Sequence, residues 1–294
     1  MDKKPLIQRG WLRALIFLLL TIITAIVCLA IGAQLFPSNK VDINSLVTES
    51  LPHFTALYSL SAVGNFILLF IFIKVIDKRS LYSLGFEWKG HQRDALIGFF
   101  AGVVLLGLGS LVLAAFGYLK FTGFIFNASN ILFSLLLFIV VAFSEELIFR
   151  GYLLNNLMQS VKPWVALTLS SFAFGLFHMS NPGAGLLPVL NVFIAGFLLG
   201  INYIFTKNLW FGIFFHFSWN YFEGTVFGYN VSGFTTSGFF SQSIDGPAWI
   251  TGGDFGFEGS LIEFFLTIIA VIIFAKYFSK KYTSDSVPIF AANV

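Results

Sequence analysis

Eight stretches of roughly twenty apolar residues recur along this chain, at 12–36, 54–76, 95–119, 130–158, 163–180, 186–205, 209–228 and 259–279. A run of that length, coiled as an α-helix, matches the hydrocarbon thickness of a bilayer. Helices also satisfy their own backbone groups where no water can reach them. The pattern therefore predicts an all-α integral membrane protein, a bundle of about eight transmembrane helices forming a single transmembrane domain over 1–294. Composition agrees, since 57% of the residues are hydrophobic and only 11% charged, against roughly 25% charged in soluble domains. The abundant phenylalanine and glycine suit helices that face lipid and pack closely on one another.

Basic residues orient the bundle. Lys3, Lys4, Arg9 and Arg13 precede or open the first run, Lys74, Lys78, Arg79, Lys89 and Arg93 follow the second, and Lys276, Lys280 and Lys281 close the last. With eight spans, Arg150, Lys162 and Lys207 fall on that same side, which leaves Lys40 and Lys120 opposite. The expectation is a multi-pass cell-membrane protein with both termini in the cytoplasm. The first apolar run is too long for the core of a signal peptide and reads as a retained anchor. The compact chain, lysine-rich flanks and lack of an organelle signal suggest a bacterial source.

The connection 229–258 is rich in Gly, Ser, Thr and Phe, contains no Lys or Arg, and is expected on the external side, where it folds back as a re-entrant segment or caps a site. The glycine pairs Gly98/Gly102 and Gly196/Gly200 have the spacing of close helix contacts. A single cysteine, Cys28, excludes a disulfide framework and a multi-thiolate metal site within one chain. The net charge of +3 sits in the flanks, so no nucleic-acid partner is implied.

Against this apolar background the segment VAFSEELIFRGYLL, residues 141–154, places two acids and an arginine inside a span. An ionisable side chain there costs about 2.5–3.5 kcal/mol on insertion scales, so it needs a partner or a purpose. The spans over 130–228 hold Glu145, Glu146, Arg150, His178, His216, Asn220 and Glu223. Glu146 and Arg150 are four apart with the acid first, the favourable order for an intrahelical ion pair. Glu145 lies about 100° further round the helix and cannot share that arginine equally. His216 and Asn220 stack on one face of their helix. Taken singly, an intramembrane histidine is most often a packing residue; three helices with convergent polar groups are harder to explain that way. At 1.5 Å per residue, Glu145 and His178 come to about the same depth, near 21–22 Å from one membrane face, with His216 and Asn220 about 10 and 17 Å deep.

A carboxylate, two imidazoles and a carboxamide supply the parts for peptide hydrolysis without a covalent intermediate. Glutamate beside histidine can take a proton from water, and imidazole with amide can stabilise an oxyanion. The chain has no G-x-S-x-G elbow and no H-E-x-x-H zinc motif. Glu145, His178 and His216 would still make three ligands for a catalytic zinc, and the residues alone leave that alternative open.

Glu145-Glu146-x-x-x-Arg150, Phe174-x-x-x-His178 and His216-x-x-x-Asn220, each in a separate span and in that order, resemble the CPBP family of CAAX proteases and bacteriocin-processing enzymes, also called Abi. The resemblance implies a glutamate-dependent intramembrane endopeptidase, related to the enzyme that trims prenylated CAAX termini. It implies that 130–228 are the catalytic helices, that Glu145 with His178 activates water, and that His216 with Asn220 forms the oxyanion site. Glu146 and Arg150 would support the site, and neither a metal nor another cofactor is expected. The expected partners are a membrane-associated peptide or protein substrate and the lipid bilayer. A different class of function also fits intact motifs: a non-enzymatic membrane protein that binds a peptide or confers bacteriocin immunity. A proton-coupled transporter fits less well, because no repeated half with matching broken helices is visible.

Overall fold

Each of the eight apolar runs forms a helix, and two short strands join them. The computed structural model describes residues 4–35, 50–235 and 238–283. Helix α1 is Gly10–Leu35 and α2 is Leu51–Ile71, continued by a π turn at Phe72–Ile76; α3 is Gln92–Ala115. After strand β1, Leu119–Phe124, comes α4, Ala128–Glu146, which runs on through a π stretch at Leu147–Leu154 and a last turn at Asn155–Leu157. Helices α5, Pro163–Phe177, and α6, Leu186–Thr206, precede α7, Trp210–Asn220, which passes into a π stretch at Tyr221–Phe227. Strand β2, Phe240–Ile244, and helix α8, Leu261–Thr283, complete the chain. Lys3, Phe36 and Lys40, counted in the sequence reading, lie outside the described residues.

Among the described residues, six helices are long and apolar enough to cross a membrane: α1, α2, α3, α4, α6 and α8. Among the described residues the strands form one two-stranded sheet, and this is an all-α membrane protein. The expectation of about eight spans is met as eight helices, but two do not reach that length and hydropathy. Helix α5 has 15 residues, and α7 has 11 before its π stretch begins. These two carry His178, at the C-terminal end of α5, and His216.

Local chemistry sets several helix ends. Ser50 accepts the His53 amide at the start of α2, with Pro52 in the first turn, and Asn127 accepts the Asn130 amide at the start of α4. Lys207 closes α6 in the left-handed region, and Gly228 does the same after α7 at φ 77°. Span 3, expected to reach residue 119, ends at Ala115, because the chain turns at Gly117 and Leu119 enters β1.

Helix α7 occupies the centre, packed by α3, α4 and α6, while α5 and α8 lean on α6 and α1 pairs with α2. Glycine makes the closest approaches. A Cβ at Gly98 or Gly102 would strike the α7 backbone at Phe211 and Phe215, and one at Gly196 would strike Ser171 on α5. Both glycine pairs therefore serve helix packing.

The segment 229–258 is structured. An isolated bridge joins Val231 to Phe234, β2 pairs antiparallel with β1 from Leu119↔Ile244 to Phe124↔Phe240, and short helical turns follow at Ala248–Thr251, Gly253–Phe255 and Phe257–Gly259. The two strands are an addition to the purely helical expectation. One end of the bundle is tied by buried charge: Arg13 reaches Asp77 at 2.7 Å and Gln159 at 2.5 Å, and Arg79 reaches Asn155 at 2.8 Å. Arg13, read from the sequence as a flanking charge, is fully enclosed.

Candidate active site

Glu145 and Glu146 are the last α-helical residues of α4, and Asn220 is the last of α7; a π stretch begins immediately after each pair or residue. Wider i→i+5 turns of this kind recur at functional sites, because they displace side chains from the regular helical stripe. In α4 the wider turns also shorten the rise per residue between Glu145 and Gln159.

Glu146 and Arg150 form the anticipated pair, Oε1 to Nη1 at 2.8 Å. Arg150 also donates to the Gly196 carbonyl at 3.1 Å and lies over the Phe174 ring, 4.4 Å from its centroid. Glu146 does more than pair with the arginine, since its Oε1 is also 3.1 Å from His216 Nδ1. Gly212 makes room for this contact, as a Cβ there would meet Glu146 Oε2.

Glu145 turns the other way. Its Oε1 accepts the Tyr58 hydroxyl at 3.0 Å, and its Oε2 faces two imidazoles, 3.9 Å from His178 Nε2 and 3.8 Å from His216 Nε2. These separations are too long for direct hydrogen bonds. Glu145 Oε2 is buried and has no hydrogen-bond partner among the described residues. His178 Nδ1 lies 2.8 Å from the Phe174 carbonyl. A carbonyl only accepts, so Nδ1 carries the proton, and in the neutral ring Nε2 turns its lone pair towards Glu145.

These groups open onto a cavity of about 300 Å³, walled by Leu57 of α2, by Leu137, Phe138, Ile148 and Phe149 of α4, and by Phe177 of α5. Glu145, His178, His216 and Asn220 keep 5–8% of their surface exposed and line this cavity, whereas Glu146 and Arg150 are at 0–1% and do not. The six residues singled out in the sequence thus divide into four that face the cavity and two behind them. Among the described residues, no group of three or more His, Cys, Asp and Glu side chains is arranged to hold a metal ion.

Sequence reasoning missed several polar residues at the site. Tyr58, Ser61 and Asn65 enter the cavity from α2, and Ser232 enters from the 229–258 segment. A tyrosine or asparagine in a span gives little signal by itself. Glu263, buried within α8, was open to the same argument that singled out Glu145.

Fold and site together define a multi-helical membrane protein with a carboxylate and two imidazoles converging on an apolar intramembrane cavity. Residues 127–222 match the family model described as Rce1-like, "Type II CAAX prenyl endopeptidase Rce1-like". That model is of the CPBP family, and the segment similar to it spans α4 to α7 and contains Glu145, Glu146, Arg150, His178, His216 and Asn220. The similarity supports an intramembrane protease in general terms. No curated protein and no solved structure matches the chain.

Proposed function

We propose that the protein is an intramembrane glutamic endopeptidase that hydrolyses a membrane-associated peptide or protein through a water activated by Glu145 and His178. The observation that carries this reading is the gap around Glu145 Oε2, a buried, unbonded carboxylate oxygen 3.8–3.9 Å from two imidazole nitrogens. One water oxygen can reach the carboxylate and an imidazole across such a gap at ordinary hydrogen-bond lengths.

In this reading, Glu145 takes a proton from the water while the water oxygen forms a bond to the scissile carbonyl carbon. His178, held by the Phe174 carbonyl, orients the water through Nε2. The carbonyl oxygen gains negative charge, which His216 and Asn220 stabilise from α7. The C–N bond then breaks, and the proton held by Glu145 passes to the leaving nitrogen. Glu146 and Arg150 fix His216 and the start of the π stretch. Two carboxylates and one guanidinium leave a single negative charge, which an imidazolium at His216 balances, and that form has the Nε2 proton an oxyanion donor needs.

The family description names prenylated CAAX substrates. For this chain the apolar cavity favours a substrate that presents a hydrophobic group beside its scissile bond. The test compares membrane peptides from cells that carry wild-type protein, Glu145→Ala or His178→Ala, followed by cleavage assays with the purified proteins. Both variants should accumulate and fail to cleave. Full activity in Glu145→Ala would overturn the assignment, and retained biological protection without cleavage would favour peptide binding instead.

A further inference from the structure

A second, smaller chamber of about 40 Å³ lies behind the site and shares His178, His216, Asn220 and Ser232 with the large cavity. Its lining is largely apolar, and its further polar residues come from outside the matched segment or from α6: Glu258, Glu263 and Thr267, with Asn191. Two buried acceptors on these lining residues, Glu263 Oε2 and Asn191 Oδ1, have no donor among the described residues. The other oxygen of Glu263 accepts from Thr267 at 2.5 Å, and the Asn191 amide donates to the carbonyls of Glu258 and Ser260 at 2.8 Å, which holds both side chains in place. Glu258 is already occupied by Trp219 Nε1 at 3.0 Å and by the Ser232 amide and hydroxyl at 2.9 and 2.6 Å, so it fastens Ser232 over the chamber.

We propose that this chamber is a built-in water site that supplies the reacting gap from the side away from the substrate. The proposal rests on the hydrolytic reading of Glu145 and His178. Each turnover consumes one water, and a hydrophobic substrate group seated in the apolar cavity closes the gap from that side. The chamber is lined by the same two imidazoles. A water needs about 10–15 Å³ of such space and two to four polar partners, so the chamber admits about three waters. Water donates two hydrogen bonds, which matches two orphaned acceptors held apart on α6 and α8. A metal ion matches less well, because the described residues form no metal-binding group there.

The test has one physical arm and one kinetic arm, both on the full chain in phosphatidylcholine vesicles. Radiolytic hydroxyl labelling, in which bound water is the source of the radical, should mark Phe215 and Trp219, which line the chamber. Filling the chamber with Ala195→Leu should remove that mark and leave labelling of exposed loops unchanged; Val192→Phe fills it from the same helix if the first variant does not accumulate. In saturating substrate the filled variant should lose about 10²-fold in kcat with KM little changed, the loss typical of a displaced reacting group. Unlabelled Phe215 and Trp219 in the wild type would overturn the water site whatever the activity. Labelling that disappears in the filled variant while kcat stays at the wild-type value would overturn the supply role. A labelled chamber in a wild-type protein that cleaves nothing would remove the protease reading and the supply role with it, and would leave a bound-water site.

Discussion

Tyr58 donates its hydroxyl to Glu145 Oε1 across 3.0 Å, from a helix 87 positions upstream and outside the matched segment. The bond occupies one carboxylate oxygen and leaves Oε2 aimed at His178 and His216. Tyr58 is therefore a positioning residue for the proposed base. A hydrogen bond to a charged group contributes about 1.5–3 kcal/mol. Tyr58→Phe should lower kcat at least about tenfold, with KM and protein yield close to wild type. A parallel rise in KM with kcat unchanged would assign Tyr58 to substrate binding instead.

Asn220 offers the amide half of the proposed oxyanion site. Loss of one such donor typically lowers the rate about 10²–10³-fold, so Asn220→Ala should be impaired and still measurable, whereas Glu145→Ala should not be. Elemental analysis of purified wild-type protein bears on the same mechanism. Direct acid–base catalysis predicts no stoichiometric zinc; one zinc per chain, lost in His178→Ala and His216→Ala, would replace that mechanism with a metal-centred one.

Glu146 and Arg150 are a buried pair at 2.8 Å, and breaking such a pair typically destabilises by about 3–5 kcal/mol. Either single alanine substitution should lower the yield of folded protein, and the double replacement should recover part of it. Because Glu146 also contacts His216, the recovered double variant should remain poorly active. Normal accumulation of both single variants without activity would place the pair in the chemistry itself.

Reporter fusions test the orientation that the basic residues favour. Fusions at residues 40, 120 and 240 should read as external, and those at 85, 161 and 285 as internal. An internal reading at 240 would sink the arrangement in which β2 and the turns after it cap the outer side.

The positions of all eight helices were legible because hydrophobic length is a local property: a run of about twenty apolar residues reports itself without knowledge of its neighbours. The pairing of Glu146 with Arg150 was legible for the same reason, since four residues along one helix are spatial neighbours in any fold. The β1–β2 pairing was not. Its strands lie far apart in the chain, and their residues carry no strong alternation. Depth counted along ideal helices set His216 shallower than Glu145, yet the two meet at 3.8 Å, because a count along one helix carries no information on how its neighbour is tilted or where it crosses.

The amino-acid sequence by itself determined that this chain resides in a membrane, that Glu145, Glu146, Arg150, His178, His216 and Asn220 lie inside apolar runs over 130–228, and how they are spaced into motifs. Tertiary structure alone decided what those residues touch on other helices. It turned Glu145 towards two imidazoles and its neighbour Glu146 towards His216, brought Tyr58 from α2 against the carboxylate, and set Glu263 and Asn191 around a second chamber. The physical reason is distance along the chain. Contacts within one helix turn follow from 3.6 residues per turn, whereas contacts between helices depend on crossing points that small residues such as Gly98, Gly196 and Gly212 permit and that appear only when the whole bundle is packed.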